Sequence, residues 1–340
     1  MRMNKQMILF CFSIMLPTIF FAMDTVPVDD EPAIVVVWSK NKEGKAYEDR
    51  WMYEYSSNTG HMLGIFDGHG GSRASNYLAQ NLSALIAEQK GSDACLNISN
   101  ALVAVEKNIK AEAFHDGSTA VVVNVVSNSK NKSTLCHFIN TGDSRAVLGH
   151  IAPARQYTVS FFTKDHVPSR DDERKRVLQA GGYISSDEYV YANAYSHGLA
   201  MTRSIGDRGE DPEKKVIIAT PECTTCDISN VSDEGYLVLG SDGLWDYLNQ
   251  KDDVSEYEFS EYAFSKISSN IAAGNSLVEI GKSMVEDALR KRSTDDITCM
   301  LVKIKALTEN KKATMQIVEM VSLSPTFISL FPNLRLVGDY

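Results

Sequence analysis

Met62-Leu63-Gly64-Ile65-Phe66-Asp67-Gly68-His69-Gly70-Gly71 is an apolar run that stops on a carboxylate and then turns on glycines. The run reads as a buried strand, Met62 to Phe66, with Asp67 at its tip. The chain repeats this arrangement. Tyr236-Leu237-Val238-Leu239-Gly240 leads to Asp242-Gly243, and Asp295-Asp296 stands directly before the apolar run Ile297 to Ile304. Carboxylates gathered at strand ends repel one another unless cations neutralise them. Hard divalent ions take oxygen ligands, and Mg²⁺ keeps several of its waters. The pattern predicts a metal site built from distant segments. Glu48-Asp49, between two predicted strands, is a fourth acidic point.

Strands are predicted at Val35 to Trp38, Trp51 to Tyr55, Thr119 to Val126, Leu135 to Asn140, Arg145 to Gly149, Thr158 to Phe162 and Val216 to Ala219. Helices are predicted at Ser72 to Gln89, Ala101 to Phe114, Asp171 to Ala180, Glu256 to Asn270 and Ser276 to Arg290. Strands come in runs and helices in pairs. That order favours sheets with helices grouped outside them over regular βαβ alternation. Residues 306–340 form a separate C-terminal tail, polar from Thr308 to Lys312 and apolar around Phe327 to Phe331. It reads equally as a docked extension or a loosely ordered tail.

The formal net charge is −10 over 340 residues, which argues against nucleic acid as a partner. Residues 1–23 differ from the rest. Arg2 and Lys5 precede an apolar stretch from Met7 to Met23, as in a secretory signal; an uncleaved membrane anchor is the alternative. Export, secreted or periplasmic, is expected if the leader is cleaved, and a membrane-anchored or cytoplasmic protein if it is not. Beyond Cys11 the five cysteines are an odd number, which gives no closed disulfide framework. Cys223-Thr224-Thr225-Cys226 has no second pair, so zinc is disfavoured, and two small residues near a loop are favoured over a redox motif.

Each motif also has a local reading. A dinucleotide loop would need glycine at position 73, where Arg73 stands, and Asp67 would repel a pyrophosphate. A helix-capping turn remains open for Asp67 taken alone. Asn140-Thr141-Gly142-Asp143-Ser144-Arg145 taken alone reads as a hairpin turn. Ser144 lies in no G-x-S-x-G elbow, which disfavours serine hydrolase chemistry. No D-x-D-x-D-G loop supports calcium binding. His69 beside a metal-ligating aspartate could donate a proton to a leaving oxygen.

The ordered set Tyr47-Glu48-Asp49-Arg50, Phe66 to Gly71, Gly117-Ser118-Thr119-Ala120, Gly142-Asp143-Ser144-Arg145-Ala146-Val147, Lys164-Asp165-His166, Ala180-Gly181-Gly182, Leu199 to Asp207, Pro221-Glu222, Ser241 to Asp246 and Asp295-Asp296-Ile297-Thr298 resembles the metal-dependent protein serine/threonine phosphatases of the protein phosphatase 2C family. The resemblance covers residues 34–305. It implies an α+β fold, a four-layer α-β-β-α sandwich of two antiparallel sheets flanked by helices, with metals at one edge. It implies hydrolysis of phosphoserine and phosphothreonine in proteins by a water activated between two metals. Asp49, Asp67, the Gly68 carbonyl, Asp242 and Asp295 match the ligands of two Mg²⁺ or Mn²⁺ ions. Asp143 and Asp246 match a weaker third site. Glu48 matches a residue that orders water at the metals, and His69 matches the general acid. Gly198 to Val216 matches the flap. Phosphorylated proteins are the implied partners, and a monomer is expected.

One departure stands out. The family usually places an arginine four residues before the glutamate of Glu48-Asp49, to grip phosphate; here that residue is Gly44. Lys45 is the nearest replacement, a point charge without a bidentate fork. The departure leaves a second reading open, a catalytically weak relative acting as a regulatory or binding module. Asp296 stands where asparagine is common and adds a charge beside Asp295.

Overall fold

The computed structural model describes residues 32–40, 46–111, 116–128, 133–152, 156–193, 197–207, 216–230, 235–246, 255–308, 313, 315–319 and 335–336. Gly44, Lys45, the leader, the polar part of the flap at 208–215 and the apolar end of the tail at 327–331 lie outside them. The chain runs β1 (Ile34–Ser39), β2 (Arg50–Ser56), β3 (Gly60–Phe66), β4 (Gly68–His69), α1 (Arg73–Ala87), α2 (Ala94–Ala111), β5 (Gly117–Ser118), β6 (Ala120–Asn128), β7 (Ser133–Thr141), β8 (Arg145–Ile151) and β9 (Tyr157–Phe162). It continues through α3 (Asp171–Gln179), β10 (Tyr183–Ile184), β11 (Val190–Tyr191), β12 (Ile205–Gly206), β13 (Glu222–Asp227), β14 (Gly235–Gly240), α4 (Asp242–Trp245), α5 (Glu256–Ala272), α6 (Leu277–Arg290), β15 (Ile297–Lys303), α7 (Ile304–Thr308), β16 (Met315–Glu319) and β17 (Arg335–Leu336).

Two large sheets stack. One has the order β17-β16-β1-β15-β14-β8-β9, the other β13-β7-β6-β3-β2. The second is antiparallel throughout. The first is antiparallel except for β1 and β16, which run parallel with Ile34 opposite Met315. That pair docks residues 315–319 of the tail into the sheet.

The strands are apolar on both faces because both faces are covered. On β1, Ile34 and Val36 pack with Leu63, Val123, Phe138, Leu239 and Met300 between the sheets. Val35 and Val37, pointing the other way, pack with Ile280 and Met284 of α6 and Ile267 of α5. Across the second sheet, Met62, Phe66 and Val122 meet Leu78 and Leu82 of α1 and Leu102 and Val105 of α2. Helix pair, sheet, sheet, helix pair make four layers. Each fully buried aliphatic or aromatic side chain contributes about 1.5–3 kcal/mol of transfer free energy. The helices of the first pair start on capping boxes, Ser255 with Glu258 and Ser276 with Glu279, each cap contributing about 1 kcal/mol.

Three expectations change. Residues 216–219 form no strand beyond a single bridge from Ile218 to Arg203; the edge strand is β13, which contains the CxxC segment. Helix α2 begins at Ala94, ahead of the predicted Ala101. The Gly142-Asp143 turn is not a hairpin, because β7 belongs to one large sheet and β8 to the other. It is a crossing between layers, and it carries Asp143 to the sandwich edge.

The structure also pairs Cys95 of α2 with Cys223 of β13, a disulfide spanning 128 residues of sequence with its Cα atoms 6.0 Å apart. Among the described cysteines, Cys136, Cys226 and Cys299 are free.

Candidate active site

At one edge of the sandwich the strand tips bring their carboxylates together. Asp67 leaves β3, Asp242 opens α4 after β14, Asp295 precedes β15, Asp49 precedes β2, and Asp143 sits at the crossing from β7 to β8. Burial, followed by the charges of Asp49, Asp242, Asp295 and Asp143, pushes the Asp67 carboxyl well above the ordinary range. Burial and the charges of Asp242, Asp165 and Asp246 do the same to Asp143. Asp49 is fully buried. Burial, opposed by a Thr298 hydrogen bond and reinforced by Asp296 and Asp242, raises its carboxyl to about 7. Asp246 is raised as well, by burial and then by Asp242 and Asp165. Its side chain reaches the surface, so water screens part of that repulsion.

Hydrogen bonds hold the acidic residues in place. Thr298 Oγ1 donates to Asp49 Oδ2 at 2.7 Å and is itself bonded to the Tyr47 hydroxyl. Asp296 Oδ2 accepts the Glu48 N–H at 2.9 Å, and Ser75 Oγ donates to the Glu48 carbonyl at 2.6 Å. Thr119 Oγ1 accepts the Asp67 N–H at 3.1 Å, and the Thr119 N–H returns to the Asp67 carbonyl at 2.9 Å. A Cβ on Gly68 would lie 2.5 Å from the Glu48 carbonyl oxygen, so only glycine lets these two segments meet.

The donor set suits a hard divalent cation, since it consists of oxygens. Asp49 Oδ1 and Asp143 Oδ1 are buried without a hydrogen-bond partner among the described residues. A buried charged oxygen with no donor is costly, and a cation relieves it. A second acidic group, Asp172, Glu173 and Glu222, brings carboxylate oxygens within 4.8 Å of one another. Its charges are already met. Arg170 pairs with Asp172 and Glu222, Arg176 with Glu173, and Arg203 with both glutamates. Although burial opposes it, hydrogen bonds from Arg203, Arg176 and Thr202 bring the Glu173 carboxyl down to about 2. This group is a structural ion-pair network.

His69 lies on β4, in a small sheet of order β12-β5-β4 beside the acidic cluster. Its Nε2 is 2.6 Å from Asp207 Oδ2. Burial alone would lower its pKa, but the charge and hydrogen bond of Asp207, with smaller contributions from Asp242 and Glu48, raise it above the ordinary value. The structure thus places Glu48, Asp49, Asp67, Gly68, His69, Asp143, Asp242, Asp246 and Asp295 around one edge of the sandwich. Lys45, the expected phosphate contact, is outside the described residues. Asp207, Asp296 and Thr298 were present in the motifs, but nothing in the sequence linked them to His69, Glu48 or Asp49.

Residues 37–297 match the Protein phosphatase 2C family. Probable protein phosphatase 2C 52 of Oryza sativa subsp. japonica is 32% identical over 252 residues, covering 72% of this chain and 44% of that protein. Probable protein phosphatase 2C 76 of Arabidopsis thaliana is 33% identical over 252 residues, covering 72% and 52%. The crystal structure of a phosphatase from a pathogenic strain of Toxoplasma gondii superimposes with a TM-score of 0.63 at 20% identity, covering 80% of this chain and 93% of that one. The last likeness shows the fold. The chain belongs to the protein phosphatase 2C family, whose members are metal-dependent protein phosphatases. The matched region spans about half the length of the two plant relatives.

Proposed function

We propose that this chain hydrolyses phosphoserine and phosphothreonine esters in proteins. The observation that supports this best is the convergence of buried carboxylates from distant strand ends beside a histidine. Asp49, Asp67, Asp242, Asp295 and the Gly68 carbonyl would hold two Mg²⁺ or Mn²⁺ ions, and Asp143 and Asp246 a weaker third. Ions bound there supply charge neutralisation and Lewis acidity to a phosphate ester. The remaining work belongs to the chain. Glu48, close enough for its charge to act on His69, orders the attacking water. His69 gives its proton to the departing serine or threonine oxygen. The hydrogen bonds from Thr298, Thr119 and Ser75 keep the donors in place, so little reorganisation is needed during the reaction. Lys45 would neutralise substrate phosphate.

Phosphate release from a phosphoserine peptide by the full chain, with Mn²⁺ and then with EDTA, tests the reading. Turnover that disappears on chelation and returns with metal supports it. No turnover with Mn²⁺ contradicts it and favours the regulatory module suggested by Gly44.

The same reading extends to location. Residues 1–23 fit a secretory signal, and the Cys95–Cys223 disulfide suits an oxidising compartment. We propose an exported phosphatase. Recovery of a disulfide-linked form lacking the leader from the exported fraction supports this; a reduced form retaining residues 1–23 in the cytosol contradicts it.

A further inference from the structure

The dyad of His69 and Asp207 is assembled in the small sheet of order β12-β5-β4. His69 is opposite Gly117 in the pairing of β4 with β5, and Gly206 is opposite the same Gly117 in the pairing of β12 with β5. The two outer strands therefore meet across one residue that has no side chain. A Cβ on Gly117 would lie 2.1 Å from Asp207 Oδ2 and 2.3 Å from His69 Nε2. The backbone at Gly206 and Asp207 takes φ of +101° and +41°. Left-handed backbone is uncommon for any residue with a side chain, although aspartate tolerates it better than most, and surrounding contacts hold it in place.

Those contacts are present at both ends of the segment. Glu106 Oε2 of α2 accepts the Gly206 N–H at 2.6 Å. Arg203, at the start of the segment, is fixed to Glu173 and Glu222. Ser204 Oγ lies 3.5 Å from His69 Nε2, on the same side of the ring as Asp207. The other nitrogen differs. His69 Nδ1 is buried and has no hydrogen-bond partner among the described residues.

We propose that Asp207 is the positioning residue of His69, the group that gives the departing serine oxygen its proton. This rests on the phosphatase reading above. Nε2–H is held by the Asp207 carboxylate, which fixes the ring plane. In the step, the bond between phosphorus and the serine oxygen breaks as water oxygen bonds to phosphorus. A ring N–H bond of His69 breaks as the serine O–H forms. The proton released from the attacking water replaces the one His69 gave, so the cycle closes with serine and inorganic phosphate and no other reactant.

The test compares two substrates. A serine alkoxide needs a proton to leave, whereas 4-nitrophenolate does not. In Mn²⁺, Asp207→Ala is expected to lower kcat on a phosphoserine peptide by on the order of tenfold to a hundredfold. KM should stay within about twofold, and turnover of 4-nitrophenyl phosphate should fall much less. Asp207→Asn retains an acceptor oxygen and should recover part of the loss. Gly117→Ala, which wedges the pair apart, should reproduce the same selective loss. Equal losses on both substrates, or no loss on the peptide in either Asp207→Ala or Gly117→Ala, overturn the proposal while leaving the phosphatase reading intact. A wild type inactive on both substrates overturns the two together. If a variant unfolds, ¹⁵N spectra of His69 in the wild type decide the matter: an Nε2–H bound in a strong hydrogen bond is expected, and an Nε2 lacking its proton contradicts it.

Discussion

Removing divalent ions should make the stability of this protein fall as pH rises, and Asp49 gives one group's share of the effect. Its carboxyl is fully buried and stands at about 7, against 3.8 for an ordinary aspartate. Below pH 3.8 the group is protonated in both the folded and unfolded chain, and it contributes no difference. Between 3.8 and about 7 the unfolded chain has released the proton while the metal-free folded chain retains it. Folding then takes up a proton, so stability falls with pH by about 1.4 kcal/mol per unit. Above about 7 both forms are ionised and the loss is complete, at roughly 4 kcal/mol for this single group. For a chain of this size that is on the order of 5–10 °C in Tm. The assay is thermal unfolding in EDTA from pH 5 to 8, repeated with Mn²⁺ and with Asp49→Asn. Mn²⁺ should raise Tm more at pH 8 than at pH 5, and Asp49→Asn should make the EDTA profile shallower, with Asp67 and Asp143 supplying the slope that remains. An EDTA profile as steep in Asp49→Asn as in the wild type, or a Mn²⁺ effect independent of pH, would refute the reasoning.

Other substitutions read different parts of the account. His69→Ala should cut turnover of a phosphoserine peptide by about a hundredfold or more and that of an aryl phosphate much less; steady-state kinetics on the two substrates checks this. Cys95→Ser should destabilise the fold by about 2–4 kcal/mol, seen as a lower urea midpoint, and the wild type should match it once reduced. Asp296→Asn keeps an acceptor for the Glu48 N–H and removes one charge beside Asp49. It should stabilise the metal-free protein at pH 8 by about 1 kcal/mol, and a lower Tm would show that the charge itself is needed.

The sandwich was legible because its strands are covered on both sides and read as continuous apolar runs, as at Val35 to Trp38 and Met62 to Phe66. The acidic edge was legible because those runs end on aspartates, at Asp67 and Asp242. What stayed hidden depends on contacts between segments far apart in sequence. Residues 222–227 are a half-exposed edge strand, so β13 carries no strong apolar pattern, while Val216 to Ala219 is apolar enough to imitate a strand. A CxxC segment on a strand sends its two cysteines to opposite faces. Cys223 therefore meets Cys95 on the helix side, and Cys226 stands opposite Cys136 across β7. Gly142-Asp143 has the composition of a hairpin turn, and only the layering of the sheets reveals a crossing. Asp207 reaches His69 from 138 residues away through a left-handed turn, a contact that neither residue's neighbours in sequence announce.

The most direct test of the central claim, that distant strand ends build one divalent-metal centre, is the number of Mn²⁺ ions bound per full-length chain at equilibrium. Dialysis against Mn²⁺ at neutral pH, with metal counted by its electron paramagnetic resonance signal, should find two tight ions per chain, a weaker third, and loss of tight binding in Asp242→Asn. A wild type that binds none, or an Asp242→Asn variant that binds as many as the wild type, would contradict the account.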